Sequence, residues 1–302
     1  MTLSEIKNYI INYLEDIYET NESESIAYII LEDELKMSKI DLIINAENIV
    51  NESSVDRIQE ILIQLEQAKP IQYILGYADF YELKFKVNEH TLIPRQETEL
   101  LVHKIIELNK NRKSINILDI GTGTGCIAIS LAKNLNANIT AIDFSEKAIE
   151  TAKQNARINN VNVKFEIFNI IKNKEQICDV NYDIIVSNPP YVTNIEKKQM
   201  QKNVLDFEPH SALFVDNDNP LEFYYAITKF AKHNLKQNGQ LWFEINEQFG
   251  EETKNILKND GFKNLQIIND LNEKNRIVSG ILKPNSFSVF LLLLLLFPFL
   301  FV

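Results

Sequence analysis

Residues 186–192 read VSNPPYV, with Asn188, Pro189, Pro190 and Tyr191 closing an apolar run. Proline donates nothing to a sheet ladder and steers the residue before it away from helical geometry. The chain therefore leaves a strand at Asn188 in a stiff, extended turn that ends on an aromatic ring. The turn offers an amide, carbonyls with no competing N–H, and a ring face, all held rigid.

A second stretch, ILDIGTGTGCIAISLA at 117–132, reads as a strand, a glycine-rich turn and a helix. Gly121, Gly123 and Gly125, with Thr122 and Thr124 between them, allow a tight turn and close approach of a ligand to the backbone. The following helix aims free N–H groups at whatever sits there. The glycines are spaced G-x-G-x-G, and Cys126 stands where a dinucleotide fingerprint has its third glycine, which weakens a pyrophosphate reading. Asp143 ends the next strand, 24 residues after Asp119. A carboxylate there suits ribose hydroxyls; the plainer alternative is a structural turn with an N-capping acid. Cys126 itself reads as a small packing residue, although a helix N-terminus can lower a thiol's pKa.

These groups need a frame. From Ile115 onward INILDI, NITAID, VNVKFEIF, DIIVSN and LWFEIN alternate with helical stretches near 126–135, 146–159, 220–236 and 249–260. That alternation predicts a parallel sheet covered by helices on both faces. NLQIIN and RIVSGIL, joined by a short polar turn, predict an antiparallel edge hairpin. Upstream, Leu3, Ile6, Tyr9, Ile10, Tyr13, Leu14 and Ile17 share one helical face. Further helices are expected near 25–35, 39–45 and 55–68, the last capped by Ser53 or Ser54. Between 76 and 94, Phe80, Leu83, Phe85 and Val87 sit at strand-like intervals, which predicts an extended or hairpin connector.

Lys+Arg 31 against Asp+Glu 42 gives a net charge of -11, which argues against unspecific attraction to nucleic acid backbones. Two cysteines far apart and four scattered histidines make neither a disulfide framework nor a metal site, and suit a reducing, cytoplasmic compartment. The opening MTLSEIKNYI lacks the basic-then-apolar pattern of a signal peptide. Residues 287–302, FSVFLLLLLLFPFLFV, are almost wholly apolar. As a helix they would reach about 24 Å, short of a hydrocarbon core of roughly 30 Å. They are expected to be an extension with no part in the chemistry, with a membrane anchor as the alternative.

Asp119-Ile-Gly-Thr-Gly-Thr-Gly125 with Asp143 resembles the S-adenosylmethionine site of Rossmann-like methyltransferases. With Asn188-Pro-Pro-Tyr191, Ile93-Pro-Arg-Gln-Glu-Thr-Glu99 and Phe207-Glu-Pro-His-Ser-Ala-Leu213 added, the chain resembles the HemK/PrmC protein-glutamine methyltransferases over residues 1 to about 283. Those enzymes methylate the side-chain amide of the glutamine in the Gly-Gly-Gln motif of peptide-chain release factors. The resemblance implies a class I methyltransferase fold: a seven-stranded, mostly parallel sheet with an antiparallel edge hairpin, plus a small N-terminal helical domain. It implies a substrate-docking domain over 1–75, a connector over 76–94, a methyltransferase domain over 95–284 and an atypical tail over 285–302. S-adenosylmethionine is expected against Gly121, Thr122, Gly123, Thr124, Gly125, Asp143, Asn169, Ile170 and Asn188. Asn169 and Ile170 depart from the acidic and aromatic pair common near the adenine, so recognition there would rest on a carbonyl acceptor and dispersion. Arg95, Glu97 and Thr98 are expected to line the donor pocket, with a solvated salt bridge as the alternative, and Glu208-Pro209 either joins the family motif or caps a helix.

The resemblance gives the proline turn its task. An amide nitrogen is a poor nucleophile, because its lone pair is delocalised. The Asn188 oxygen and the Pro189 carbonyl would each accept one amide hydrogen, while Pro190 stiffens the turn and the Tyr191 ring covers the substrate. Positioning of this kind is worth roughly 7–11 kcal/mol of barrier, and a ring beside a sulfonium about 0.5–2 kcal/mol. Two rivals stand: methylation of an exocyclic adenine amine, which the charge disfavours, and a non-catalytic adaptor, which the intact glycines and Asp143 disfavour. The membrane is expected to matter only through the tail.

Overall fold

A computed structural model describes residues 1–284; the apolar 287–302 stretch lies outside them. The described residues form two compact units, Met1–Tyr77 with Met200–Phe207, and Ala78–Gln199 with Glu208 onward.

The first unit packs α1 (Leu3–Leu14), α2 (Thr20–Leu35), α3 (Lys39–Ile44), α4 (Glu52–Glu66) and α5 (Ile71–Leu75) around Ile6, Ile10, Leu14, Ile30, Ile58 and Leu62. Capping explains several of its helix starts: Thr2 with Glu5 and Ser38 with Asp41 form reciprocal capping boxes. The cap of α4 is Asn51, whose side chain accepts from the Ser54 amide at 2.8 Å. Ser53 and Ser54, favoured by their residue type, lie inside the first turn instead.

The second unit opens with a hairpin, β1 (Tyr77–Phe80) and β2 (Leu83–Lys86), followed by α6 (Gln96–Asn109). Next come β3 (Lys113–Ile120), α7 (Cys126–Asn134), β4 (Asn136–Asp143), α8 (Glu146–Ile158), β5 (Lys164–Ile167) and β6 (Tyr182–Ser187). A short pair, β7 (Val192–Thr193) and β8 (Phe214–Val215), brackets in the chain α9 (Lys202–Phe207), which belongs to the first unit, and α10 (His210–Leu213). The chain continues as α11 (Glu222–Asn234), β9 (Leu235–Glu244), α12 (Gly250–Asn259), β10 (Phe262–Asn269) and β11 (Asn275–Leu282).

Seven strands form one sheet in the order β10-β11-β9-β6-β3-β4-β5. β9, β6, β3, β4 and β5 run parallel, and β10 and β11 make the antiparallel edge. This is the Rossmann-like, mostly parallel architecture that the strand–helix alternation predicts. Neighbouring residues on each central strand feed opposite faces, as the pleat requires. Ile117, Ile184, Trp242 and Ile277 enter one core, while Leu118, Ile185, Phe243 and Val278 enter the other. Both faces are buried, so these strands read as near-continuous apolar runs. Strand order reverses between β3 and β6, and ligands of such sheets bind outside the carboxyl ends at that point. No helix among the described residues is long and apolar enough to cross a membrane.

Candidate active site

A cavity of about 310 Å³ opens where β3, β4 and β6 end. Ile120 pairs with Ser187 in the sheet, and the Ser187 hydroxyl donates to the Ile120 carbonyl at 2.7 Å. The glycine turn after β3 and the proline turn after β6 therefore leave the sheet side by side. Of the residues singled out in the sequence, Gly121, Thr122, Gly123, Thr124, Asp143, Asn169, Ile170, Asn188, Pro189 and Pro190 line the cavity. Gly125 and Tyr191 are not among its lining residues.

The glycine turn is built by backbone. Gly121 and Thr122 donate to the Ile142 carbonyl at 2.9 and 3.0 Å, and Gly123 donates to Asp143 Oδ2 at 2.9 Å. Gly121, Gly123 and Gly125 have φ of 74°, 54° and 82°, in the left-handed region that favours glycine. A Cβ on Gly121 or Gly123 would meet no protein atom within 4 Å, so these two hold open the cavity wall. A Cβ on Gly125 would lie 2.9 Å from Ile129 Cδ1 and 3.2 Å from the Ala152 Cβ. Gly125 thus serves close packing of α7 on α8 rather than approach to a ligand.

Asp143 is buried, and its other oxygen accepts from the Ser145 amide at 2.9 Å. Burial raises its pKa, against the opposing pull of the Ser145 and Gly123 amides. Beneath the turn, Asp119 is wholly buried; Oδ2 accepts from the Thr122 hydroxyl at 2.6 Å, and Oδ1 has no hydrogen-bond partner among the described residues. Burial pushes its carboxyl up to about 7. Burial likewise pushes the Cys126 thiol up to about 12, so this side chain is a packing group rather than a thiolate. The Asn169 side-chain oxygen accepts from the Lys172 amide at 3.1 Å, which caps the turn beside Ile170. Phe144, an exposed ring next to Asp143, also lines the cavity and carried no signal in the sequence beyond its position.

Side chains build the opposite wall. Asn188 Nδ2 donates to Thr98 Oγ1 at 3.1 Å, and the Thr98 hydroxyl donates to Glu244 Oε2 at 2.6 Å. The Tyr191 hydroxyl donates to Glu244 Oε1 at 3.0 Å. Among the described residues nothing donates to the Asn188 side-chain oxygen or to the Pro189 carbonyl. Both remain acceptors at the cavity. Asn246 Nδ2 donates to the Tyr191 carbonyl at 3.2 Å and holds the far end of the turn. Glu244, at the end of β9, is 1% exposed. Burial raises its pKa, opposed by the Thr98 and Tyr191 hydrogen bonds and by Arg276.

Sequence reasoning passed over Glu244. A glutamate closing the otherwise apolar LWFEIN was the available signal, since a buried acid needs a built set of donors. Of the connector residues, Arg95 and Thr98 line the cavity and Glu97 is not among the lining residues. Glu208, almost fully buried, pairs with the Arg95 guanidinium and accepts from the Ile93 amide at 3.2 Å. It clasps the Ile93–Arg95 segment and caps no helix, because α10 has Pro209 at its N-cap with no side-chain bond.

Comparison with known proteins agrees with this geometry. Residues 5–76 match the family described as PrmC N-terminal domain, and residues 96–207 match the methyltransferase small domain. A protein of Flavobacterium psychrophilum named release factor glutamine methyltransferase is 48% identical over 282 residues, covering 90% of this chain and 98% of that protein. One of the same name from Bacteroides thetaiotaomicron is 38% identical over 279 residues, covering 92% and 99%. A third, from Fusobacterium nucleatum, is 38% identical over 252 residues, covering 82% of this chain and 70% of that protein.

Proposed function

The chain belongs to the release factor glutamine methyltransferase family, and from that premise we propose its reaction. It transfers a methyl group from S-adenosylmethionine to the side-chain amide nitrogen of the glutamine in the Gly-Gly-Gln motif of peptide-chain release factors, and so modulates translation termination. The observation that carries this reading is the pair of unclaimed acceptors, Asn188 Oδ1 and the Pro189 carbonyl, beside the glycine turn.

The residues present fit the cofactor. Gly121 and Gly123 leave space at the cavity wall that a Cβ would fill, and Asp143 offers a buried carboxylate for a ribose diol. Thr122 and Thr124 flank that cradle, Ile170 gives an apolar face for the adenine, and the Asn169 oxygen keeps one lone pair for the adenine amine. Gly125 contributes through the packing of α7. When bound, S-adenosylmethionine supplies an electrophilic methyl on a sulfonium.

The chain's own part is to bind and orient. Asn188 Oδ1 and the Pro189 carbonyl each accept one hydrogen of the substrate –NH2, which turns the nitrogen's electron pair toward the donor; one of these hydrogens leaves as a proton to water as the N-methyl amide forms. Pro189 and Pro190 hold the acceptors without reorganisation, which is where positioning lowers the barrier. Tyr191, anchored through its hydroxyl to Glu244 and packed on the core, does not line the cavity and serves here to fix the end of the turn. The helical segment 1–75 docks the protein substrate, 76–94 connects, and 95–284 carries the chemistry; release-factor affinity lost on removing 1–75, with cofactor affinity kept, is the expected outcome. Free Cys126 and Cys178 suit the cytoplasm, where release factors work.

Incubation of the protein with labelled methyl donor and either release factor or DNA tests the reaction. Label in the release factor alone is expected, and label in DNA alone would reinstate the exocyclic-amine reading.

A further inference from the structure

We infer that Glu244 is a positioning residue: it determines which end of the Asn188 amide faces the substrate, making Asn188 an acceptor there rather than a donor. The inference rests on the reaction proposed above and concerns how its acceptor is set.

A side-chain amide has two ends of nearly equal size and opposite hydrogen-bonding character. A hydroxyl both donates and accepts, so Thr98 alone would tolerate either end of Asn188. An ionised carboxylate only accepts. Glu244 takes the Thr98 proton on Oε2 at 2.6 Å and the Tyr191 proton on Oε1 at 3.0 Å. With its single proton committed, the Thr98 oxygen can serve Asn188 only as an acceptor. Asn188 must then turn its –NH2 toward Thr98, as the 3.1 Å contact records, and its oxygen is left for the cavity. Direction is passed from acid to hydroxyl to amide.

The surroundings support a directional rather than a packing role. Glu244 is buried, Tyr224 donates to its backbone carbonyl at 3.3 Å, and the Arg276 guanidinium, whose charge favours the ionised form, is bonded to Asp270 at 3.0 Å. A carboxylate is costly to bury without a paired cation. A joint that only needed filling would be met by an apolar side chain. What a carboxylate that accepts at both oxygens adds here is two acceptors and no donor.

Three variants, Glu244→Gln, Thr98→Val and Thr98→Ser, provide the test, with kcat, the KM for a release factor and the calorimetric cofactor affinity measured for each. The amide introduced by Glu244→Gln can donate, so Thr98 and Asn188 are free to reverse. Glu244→Gln and Thr98→Val are each expected to lower kcat by about 10²-fold, the scale of a misplaced reacting group, with cofactor affinity unchanged. Thr98→Ser, which keeps the hydroxyl, should recover most of the rate lost in Thr98→Val. A fourth protein combining Glu244→Gln with Thr98→Val should be no slower than either single variant, because the relay is already broken. Wild-type kcat in Glu244→Gln, or Thr98→Ser as slow as Thr98→Val, would overturn the inference. If Glu244→Gln does not fold, the near-isosteric Thr98 pair decides alone. A wild-type protein that leaves release factor unmethylated would instead sink the proposed reaction.

Discussion

The wall of the cavity at β3 and β4 holds its groups with backbone, whereas the wall at β6 holds them with side chains drawn from distant parts of the chain. On the first, left-handed glycines and two amides fix Asp143. On the second, Asn188 leans on Thr98, 90 residues away in sequence, and Thr98 on Glu244, 146 residues away. The first is suited to a ligand that must always bind in one pose. The second concerns hydrogen-bond direction, and only side chains with distinct donor and acceptor ends can impose that.

The largest expected effect lies on the side-chain wall. Asn188→Ala should lower kcat by at least about 10²–10³-fold, the scale for losing one oriented polar contact to a reacting group. Cofactor affinity should stay near wild type by calorimetry. If both fall together, the two walls are not separable. Asp143→Ala should reverse the pattern. Losing charge-assisted bonds worth about 1.5–3 kcal/mol is expected to weaken cofactor binding about 10- to 100-fold, and turnover at saturating cofactor should suffer less than in Asn188→Ala.

Within the backbone wall, Gly121→Ala and Gly125→Ala should separate two uses of the same residue type. Each forces a side chain into left-handed geometry, at about 1–2 kcal/mol of stability. Gly125→Ala adds a clash with Ile129 and Ala152 and should unfold at lower denaturant. Gly121→Ala places its methyl at the cavity and should lose more cofactor affinity. Equal losses in both assays would mean that the turn acts as one unit.

This contrast also decides what was legible in the sequence. The strands show as apolar runs because both sheet faces are buried, and the glycine turn shows because its φ angles demand glycine. The proline turn shows because two prolines leave few conformations. Glu244 and the clasp of Glu208 on Arg95 and Ile93 did not show, since their meaning depends on partners brought together only by the sheet order. Gly125 was legible as a required glycine but not as a packing contact, because α8 comes later in the chain. Asn51 is the cap of α4, and the sequence does not single it out because two neighbouring serines have equal cap propensity.

A separate effect concerns pH. Asp119 is raised to about 7 by burial, well above its unfolded value. A carboxyl raised on folding binds more protons in the native state, so its contribution is fully present below the unfolded pKa of about 3.9 and is lost as pH rises toward 7. Thermal unfolding without cofactor should therefore show Asp119→Asn gaining on wild type between about pH 4 and pH 7. A constant gap across that range would contradict a carboxyl raised by burial there.

The most direct measurement is tandem mass spectrometry of a release factor after incubation with wild type or Asn188→Ala, at cofactor concentrations that saturate both. A single methyl on the Gly-Gly-Gln glutamine from wild type, and none from the variant, is the predicted result. Equal marks from both proteins would show that the turn after β6 does not hold the substrate amide.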